Sequence, residues 1–131
     1  MMNVGEAAEA SGLSVKTLHY YEEIGLVVPK RQENGYRAYS ETDVHKLNFI
    51  HKARGLGFTV EACRELLSLY EDRNRASADV KAIASQHLEE VETKIEELKG
   101  LRETIKDLHD KCRGDHRPDC PIINGLASTT H

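Results

Sequence analysis

The sequence predicts a mainly α-helical protein with a winged helix-turn-helix unit, one long helix and a short cysteine-containing loop. Three observations lead to this fold class. Two short helical patterns joined by a glycine-containing turn have the sequence form of a helix-turn-helix. A turn-rich segment that predicts a hairpin follows them. Further along the chain, apolar residues recur at helical spacing over many turns.

The first two helices are predicted from apolar spacing and from capping residues. Apolar side chains indicate a first helix over residues 4–10, and a tight turn follows at residues 11–13. Ser14 is a good N-cap, because its hydroxyl can accept a hydrogen bond from a backbone N–H of the first turn. We therefore expect a second helix from Ser14 to about residue 23, which Gly25 ends.

A hairpin and two further helices are predicted next. Residues 29–39 contain Asn34-Gly35, a dipeptide that favours a two-residue type I′ hairpin turn. Ser40 followed by Asp43 resembles a capping box and begins a third helix that reaches about residue 54. Thr59 begins a fourth helix that reaches about residue 70.

Ser77 caps the longest predicted helix, which covers roughly residues 78–111. Its apolar residues recur at alternating steps of three and four positions: Ala84, Leu88, Val91, Ile95, Leu98 and Ile105. This is the spacing of a coiled-coil seam, interrupted at Arg102. A helix of about 50 Å is too long for a small domain to cover, so we expect a homodimer. The alternative is a helix folded back on its own domain. The predicted domains are residues 1–70, 71–111 and 112–131.

Composition limits the classes of protein to consider. The 131 residues carry a net charge of −4 and contain no apolar run long enough to cross a bilayer. The first residues lack the features of a secretory signal, so we expect a cytoplasmic location, where thiols stay reduced. No nucleophile–base pair, glycine-rich phosphate loop or carboxylate dyad is evident, so we predict that the protein is not an enzyme.

The N-terminal unit has the side chains of a DNA-binding surface, although the acidic net charge argues mildly against one. The second helix carries residue types that meet phosphates and base edges: Lys16, Thr17, His19, Tyr20 and Tyr21. The hairpin adds basic and aromatic residues: Lys30, Arg31, Tyr36, Arg37 and Tyr39. Taken singly, the aromatic residues also fit a core and the arginines a solvated turn. Their succession indicates a recognition helix followed by a basic wing.

Cys112 and Cys120 lie in a short loop just after the long helix. Two thiolates can hold a soft monovalent ion, whereas a structural zinc ion takes four protein ligands. The alternatives are a disulfide or two thiols without a metal. Because Pro121 suits the first position of a helix, we expect Cys120 to cap a short helix whose N–H groups favour its thiolate. Cys63 is expected to be a small buried residue.

Three blocks and the tail resemble a known family. The blocks are residues 4–8 (Val-Gly-Glu-Ala-Ala), 18–26 (Leu-His-Tyr-Tyr-Glu-Glu-Ile-Gly-Leu) and 33–39 (Glu-Asn-Gly-Tyr-Arg-Ala-Tyr). Together they resemble the MerR family of transcription regulators, over about residues 3–125. The tail is similar to the copper-efflux regulator (CueR-like) branch, because seven residues separate its two cysteines and Pro-Ile-Ile follows them.

The resemblance implies a homodimer held by antiparallel long helices, with its winged units on successive major grooves of double-stranded promoter DNA. With effector bound, such a dimer distorts an overlong promoter spacer so that RNA polymerase engages both promoter elements. It implies DNA contacts at Lys16, Tyr20, Arg31, Tyr36 and Arg37. His19 stands where the family commonly has Arg, which leaves its role open.

The resemblance also bears on the effector. Ser77 stands where related sensors of divalent ions have Cys, so the site keeps two sulfurs and favours Cu(I), Ag(I) or Au(I). Lys81 matches a lysine of the copper branch and is expected to balance charge at the metal site. The open alternatives are a Zn(II) sensor that uses His116, a sensor of thiol oxidation, and a coiled-coil metal carrier that binds no DNA.

Overall fold

A computed structural model describes residues 1–116, 118 and 120–127. In this part the helices are α1 (Val4–Ser11), α2 (Val15–Glu23), α3 (Glu41–Gly55), α4 (Val60–Glu71), α5 (Ser77–Lys111) and α6 (Pro121–Ala127). The strands β1 (Lys30–Arg31) and β2 (Arg37–Ala38) form a two-stranded antiparallel sheet. The predicted mainly helical fold, with a helix-turn-helix, a small wing and a long helix, is confirmed.

The chain folds as two compact units, Met1–Ala84 and Ser85–His131. The three domains predicted from the sequence, residues 1–70, 71–111 and 112–131, were divided at the ends of predicted helices. These boundaries stay a proposal. Within the described residues, we find no helix with both the length and the apolar composition needed to cross a membrane.

The helix-turn-helix is fixed by local hydrogen bonds. Asn3 Oδ1 accepts the Glu6 backbone N–H at 2.8 Å, and Glu6 Oε1 accepts the Asn3 backbone N–H at 3.0 Å, which completes a capping box before α1. Gly12 ends α1 with a φ of 74°, in the left-handed region that favours glycine. Ser14 caps α2 by accepting the Thr17 backbone N–H at 3.0 Å, as predicted.

The hairpin has a different turn from the one predicted. A type I′ turn needs positive φ at both central residues, but Gly35 has a φ of 85° whereas Asn34 does not have a positive φ. The Gly35 N–H donates to the Gln32 carbonyl at 2.9 Å, and the Gln32 N–H donates to the Tyr36 carbonyl at 2.8 Å. The prediction of a two-residue turn was therefore wrong. The loop is one residue longer, because Glu33 joins Asn34 and Gly35 between the last paired residues.

The third and fourth helices begin as the sequence predicted. Ser40 and Asp43 form a reciprocal capping box, with bonds of 3.1 and 3.0 Å between each side chain and the other residue's backbone N–H. Thr59 Oγ1 accepts the Ala62 backbone N–H at 3.1 Å. Each helix ends one residue later than expected, which is within the usual uncertainty of helix ends.

The core of the first unit lies among α1, α2, α3 and α4. α1 packs on α2 and α3, and α3 packs on α4. The largest fully buried side chains are Leu18, Tyr39, Leu47, Ile50 and Cys63. Cys63 is therefore a small buried residue, as predicted, and burial raises the pKa of its thiol.

α5 begins at Ser77, one residue earlier than predicted, so Ser77 is the first helical residue instead of the N-cap. None of the residues of α5, all of which are described, is buried. Its apolar stripe is exposed in the single chain: Leu88, Val91, Ile95, Leu98, Leu101 and Ile105. A contiguous exposed apolar surface of this kind marks an interaction site.

Candidate DNA-binding surface and metal site

α2 turns one face to the core and the other to solvent. Leu18 and Tyr21 are buried, whereas Lys16, His19 and Tyr20 are exposed. The three exposed residues lie at positions i, i+3 and i+4, so they share one face of the helix. The structure therefore brings together three of the five residues that the sequence singled out on this helix. Tyr21, and Tyr39 of the hairpin segment, are buried in the core instead.

Thr17, another of these residues, belongs to the start of α2. Its hydroxyl lies 2.8 Å from the Ser14 hydroxyl, and its backbone N–H donates to the same oxygen. Thr17 is half-buried. In this structure its contacts fix the N-terminal turn of the helix that carries the exposed face.

Glu22 joins α2 to both arginines of the wing. Arg37 Nε donates to Glu22 Oε1 at 2.7 Å, and Arg31 Nη2 donates to Glu22 Oε2 at 3.2 Å. Arg31 Nη1 also donates to the Gly35 carbonyl at 2.9 Å, which braces the hairpin loop. Glu22 was not predicted from the sequence, because its contacts exist only when the hairpin lies against the helix.

The electrostatics of this cluster follow from its geometry. The hydrogen bond from Arg37 holds the pKa of Glu22 below its usual value, and burial only partly opposes it. The same bond raises the pKa of Arg37. Two guanidinium groups share one carboxylate, so the cluster keeps a net positive charge. Tyr36 is 71% exposed in the loop between β1 and β2. A positive, aromatic wing of this kind suits a phosphate backbone.

Cys112 and Cys120 lie side by side. Their Sγ atoms are 3.0 Å apart, and both residues are half-buried. The backbone N–H of Cys112 donates to the Leu108 and His109 carbonyls, which closes the end of α5. Cys120 directly precedes α6, and its carbonyl accepts the Asn124 N–H at 2.9 Å. The end of one helix and the start of another thus place the two sulfur atoms together.

The two thiols have opposite acidities. The Cys112 thiol, followed by the Ile123 and Ile122 backbone N–H groups of α6, stabilises the Cys120 thiolate, so the pKa of Cys120 falls. The same hydrogen bond raises the pKa of Cys112, and the Gly114 backbone N–H opposes this shift. The contact between the two sulfur atoms therefore favours loss of the proton from Cys120 over loss of the proton from Cys112.

The other residues predicted for the metal site are His116, Ser77 and Lys81. His116 is exposed. Ser77 and Lys81 are exposed residues of the Met1–Ala84 unit, whereas both cysteines belong to the Ser85–His131 unit. Among residues 1–116, 118 and 120–127, no group of three or more His, Cys, Asp or Glu side chains is arranged to hold a metal ion.

The sequence matches two family models. The model described as MerR HTH family regulatory protein matches residues 2–69, and the model described as MerR, DNA binding matches residues 44–108. The chain is also similar to curated proteins over nearly its whole length. It is 58% identical over 126 residues to the HTH-type transcriptional regulator HmrR of Rhizobium leguminosarum bv. viciae, covering 96% of this chain and 98% of that protein.

A second relative and a solved structure agree with these matches. The HTH-type transcriptional regulator CueR of Salmonella typhimurium is 41% identical over 131 residues, covering 99% of this chain and 95% of that protein. The crystal structure of the transcription regulator PbrR691 from Ralstonia metallidurans CH34, in complex with lead(II), has a TM-score of 0.84 at 33% identity. The match covers 97% of this chain and 100% of the PbrR691 chain. The chain therefore belongs to the MerR family of helix-turn-helix transcription regulators, which bind DNA and are not enzymes.

Proposed function

We propose that this protein is a metal-responsive transcriptional activator that binds promoter DNA as a homodimer and responds to Cu(I), Ag(I) or Au(I). The observation that carries the choice of metal is the pair of sulfur atoms 3.0 Å apart in Cys112 and Cys120. Thiolates are soft ligands, and a site with two of them suits a monovalent d10 ion better than ions that take three or four ligands.

The contacts around the pair support a thiolate site. The Cys112 thiol, and after it the α6 backbone N–H groups of Ile123 and Ile122, lower the pKa of Cys120, which favours the thiolate form that binds a cation. Two thiolates and a monovalent cation together carry a formal charge of about −1. This charge needs compensation when the site is removed from water. We assign this compensation to the α6 N–H groups and to Lys81, while Ser77 withholds the third sulfur that divalent ions would use.

Similar proteins support a metal effector in general. PbrR691 was crystallised with lead(II), and a MerR from Bacillus megaterium MB1, 32% identical to this chain, with mercury(II). A Rhizobium meliloti relative, 52% identical, is named heavy metal-dependent transcription regulator 2. The relatives differ in their metals. The proposal of a monovalent ion therefore depends on the ligand set of this chain.

The DNA-binding role falls to α2 and the wing. We propose that the exposed face of α2 enters the major groove with Lys16, His19 and Tyr20, and that Thr17 holds the start of this helix. Arg31, Tyr36 and Arg37 then lie against the phosphate backbone. Phosphate contacts fix the register of the protein, while contacts to base edges read the sequence.

Activation requires the metal to change the DNA. We propose that two chains pair through the apolar stripe of α5, so that two winged units hold one promoter together with RNA polymerase. Metal binding then favours the conformer that bends and untwists the overlong spacer. The preference of the metal for that conformer offsets the free energy of deforming the DNA. The shift in the conformational equilibrium cannot exceed this difference in metal affinity.

Thiol oxidation is the second candidate for the signal. Cys112 and Cys120 are close enough that a small movement brings them to disulfide geometry. A regulator of this kind would respond to oxidants, and metal binding would not be its signal. Both candidates use the same two residues, so they must be separated by the chemistry of the site.

Metal binding tests the proposal directly. The reduced protein is titrated with Cu(I) or Zn(II) against a competing chelator, and X-ray absorption counts the sulfur ligands. We expect a Cu(I) ion with two sulfur neighbours, loss of binding in Cys112→Ser and Cys120→Ser, and retention in the control Cys63→Ala. Tight Zn(II) binding with four mixed ligands would contradict the proposal.

A further inference from the structure

Arg64 connects α4 directly to the C-terminal end of α2. Its Nη2 donates to the Ile24 carbonyl at 2.8 Å, and its Nη1 lies 3.5 Å from the Gly25 carbonyl. These two residues follow α2 immediately, although they lie 40 and 39 positions before Arg64 in the sequence. Nothing local in the sequence indicates this contact.

The end of α2 needs a donor from elsewhere. The last carbonyls of a helix have no partner within it, and they form the negative end of the helix dipole. The Ile24 and Gly25 N–H groups close the helix on the Tyr20 and Glu22 carbonyls, but the Ile24 carbonyl points beyond this closure. The last turn of α2 contains no basic residue. Arg64 supplies both the donor and the positive charge.

This contact adds a second attachment for α2. α2 packs on α1 and buries Leu18 and Tyr21 in the core, and the guanidinium of Arg64 ties its C-terminal end to α4. A helix moves as a rigid element, so a small rotation at Ile24 displaces Lys16, His19 and Tyr20 together. The planar fork of arginine spans two carbonyls, which a lysine ammonium cannot match.

We propose that Arg64 is a positioning residue for DNA recognition, which orients α2 without touching the DNA. The proposal rests on the proposed function of α2 as the recognition helix. It predicts that changes at Arg64 weaken specific binding more than non-specific binding, because only the specific complex needs exact placement of side chains against base edges.

The test compares Arg64→Ala and Arg64→Lys with the wild type. A specific duplex is first selected from a random pool by the wild-type protein, and a scrambled duplex of equal length serves as the non-specific probe. Fluorescence anisotropy gives Kd for both duplexes over a series of salt concentrations. Circular dichroism at the same temperature confirms that each variant is folded. The control is Glu61→Gln, which removes the carboxylate 3.7 Å from Arg64 Nε and leaves both carbonyl contacts.

We expect Arg64→Ala to raise Kd for the selected duplex about tenfold, as the misplacement of one base-edge contact would. Arg64→Lys should fall between Ala and the wild type. Kd for the scrambled duplex, the salt dependence of binding and the control should stay within about twofold of wild type. Where Arg64→Ala lowers the folded fraction, Arg64→Lys provides the comparison.

Two results would overturn the proposal. Unchanged Kd for the selected duplex in a folded variant would show that Arg64 does not position α2 for recognition. Equal losses on both duplexes, with a salt slope smaller by about one, would make Arg64 a direct phosphate contact instead. If the wild type itself selects no specific duplex, the recognition role of α2 fails, and the Arg64 proposal fails with it for that separate reason.

Discussion

At the scale of single residues, Glu22 connects the parts of the proposed DNA-binding surface. Its carboxylate accepts hydrogen bonds from Arg31 and Arg37, and so orients two wing side chains from α2. In the absence of DNA, it keeps these arginines ordered. Ordered side chains lose less conformational entropy on binding, which improves affinity without adding a contact.

Glu22→Gln should destabilise the protein in a pH-dependent way. The pKa of Glu22 is lowered in the folded state. Its contribution to the free energy of unfolding is therefore present above the ordinary glutamate pKa, about 4.3, and is lost as pH falls through the folded-state pKa. We expect the variant to lose about 1–2 kcal/mol at pH 7 and progressively less toward pH 3. Urea unfolding at both pH values measures this.

The exposed Glu33 in the hairpin loop provides the control, and Glu33→Gln should change stability little at either pH. A difference between wild type and Glu22→Gln that does not vary with pH would contradict the role assigned to the ion pair.

The two thiols of the proposed metal site should differ in reactivity. The pKa of Cys120 is lowered and that of Cys112 raised, so Cys120 carries more thiolate at neutral pH in the reduced, metal-free protein. Iodoacetamide should therefore alkylate Cys120 first, with a rate profile that begins at lower pH. Mass spectrometry of each cysteine over a pH series measures this. In Cys112→Ala the profile of Cys120 should move to higher pH, because its largest stabilising bond is gone.

Buried Cys63 should react only when the protein unfolds, which gives an internal control for the folded state. Faster alkylation of Cys112 than of Cys120 in the folded protein would reverse the assigned polarity of the pair.

At the scale of elements, features set by neighbouring residues could be predicted from the sequence, whereas contacts between distant residues could not. Ser14, Thr59 and the Ser40–Asp43 box were predicted correctly, because a helix cap depends on residues within one turn. The hairpin turn was wrong, because an Asn-Gly pair also fits a longer loop in which glycine alone has positive φ. The Cys120 position before α6 was predicted from the proline that follows it.

The contacts of Glu22 with the wing and of Arg64 with Ile24 could not be predicted. They join residues 9 to 40 positions apart, and they exist only after the helices have packed. The exposed face of α2 could be predicted in part, because Lys16, His19 and Tyr20 share helical spacing. The helical period alone does not show that Thr17 turns back to Ser14.

The apolar stripe of α5 should determine the oligomeric state. Leu98 is 62% exposed and Ile95 is 44% exposed in the single chain. Burying such side chains against a second copy contributes about 1.5–3 kcal/mol each. A charge at either position should therefore shift the protein from dimer to monomer. Sedimentation equilibrium of Ile95→Lys and Leu98→Lys measures this shift.

Glu97→Lys is the matched control, because it places the same residue at an exposed position outside the stripe. A dimer that survives both Ile95→Lys and Leu98→Lys would require a different interface.

At the scale of the whole molecule, the proposed metal site and the proposed DNA-binding surface belong to different parts of the chain. The cysteine pair lies in the Ser85–His131 unit, and the residues proposed to contact DNA lie in the Met1–Ala84 unit. A metal ion acts on DNA only through a preference for one conformer of the whole protein. A net charge of −4 means that DNA attraction depends on the local charge of α2 and the wing, so binding should weaken with salt according to those contacts alone.

Metal-dependent transcription in vitro tests the central claim most directly. The template is a promoter with an overlong spacer, the assay contains purified RNA polymerase, and each ion is added separately at equal free concentration: Cu(I), Ag(I), Au(I), Zn(II), lead(II) and mercury(II). A promoter of ordinary spacing and the Cys63→Ala variant serve as controls. We predict activation by the three monovalent ions with wild type and Cys63→Ala, and none with Cys112→Ser or Cys120→Ser. Activation that persists in both serine variants, or that follows the divalent ions alone, would contradict the account.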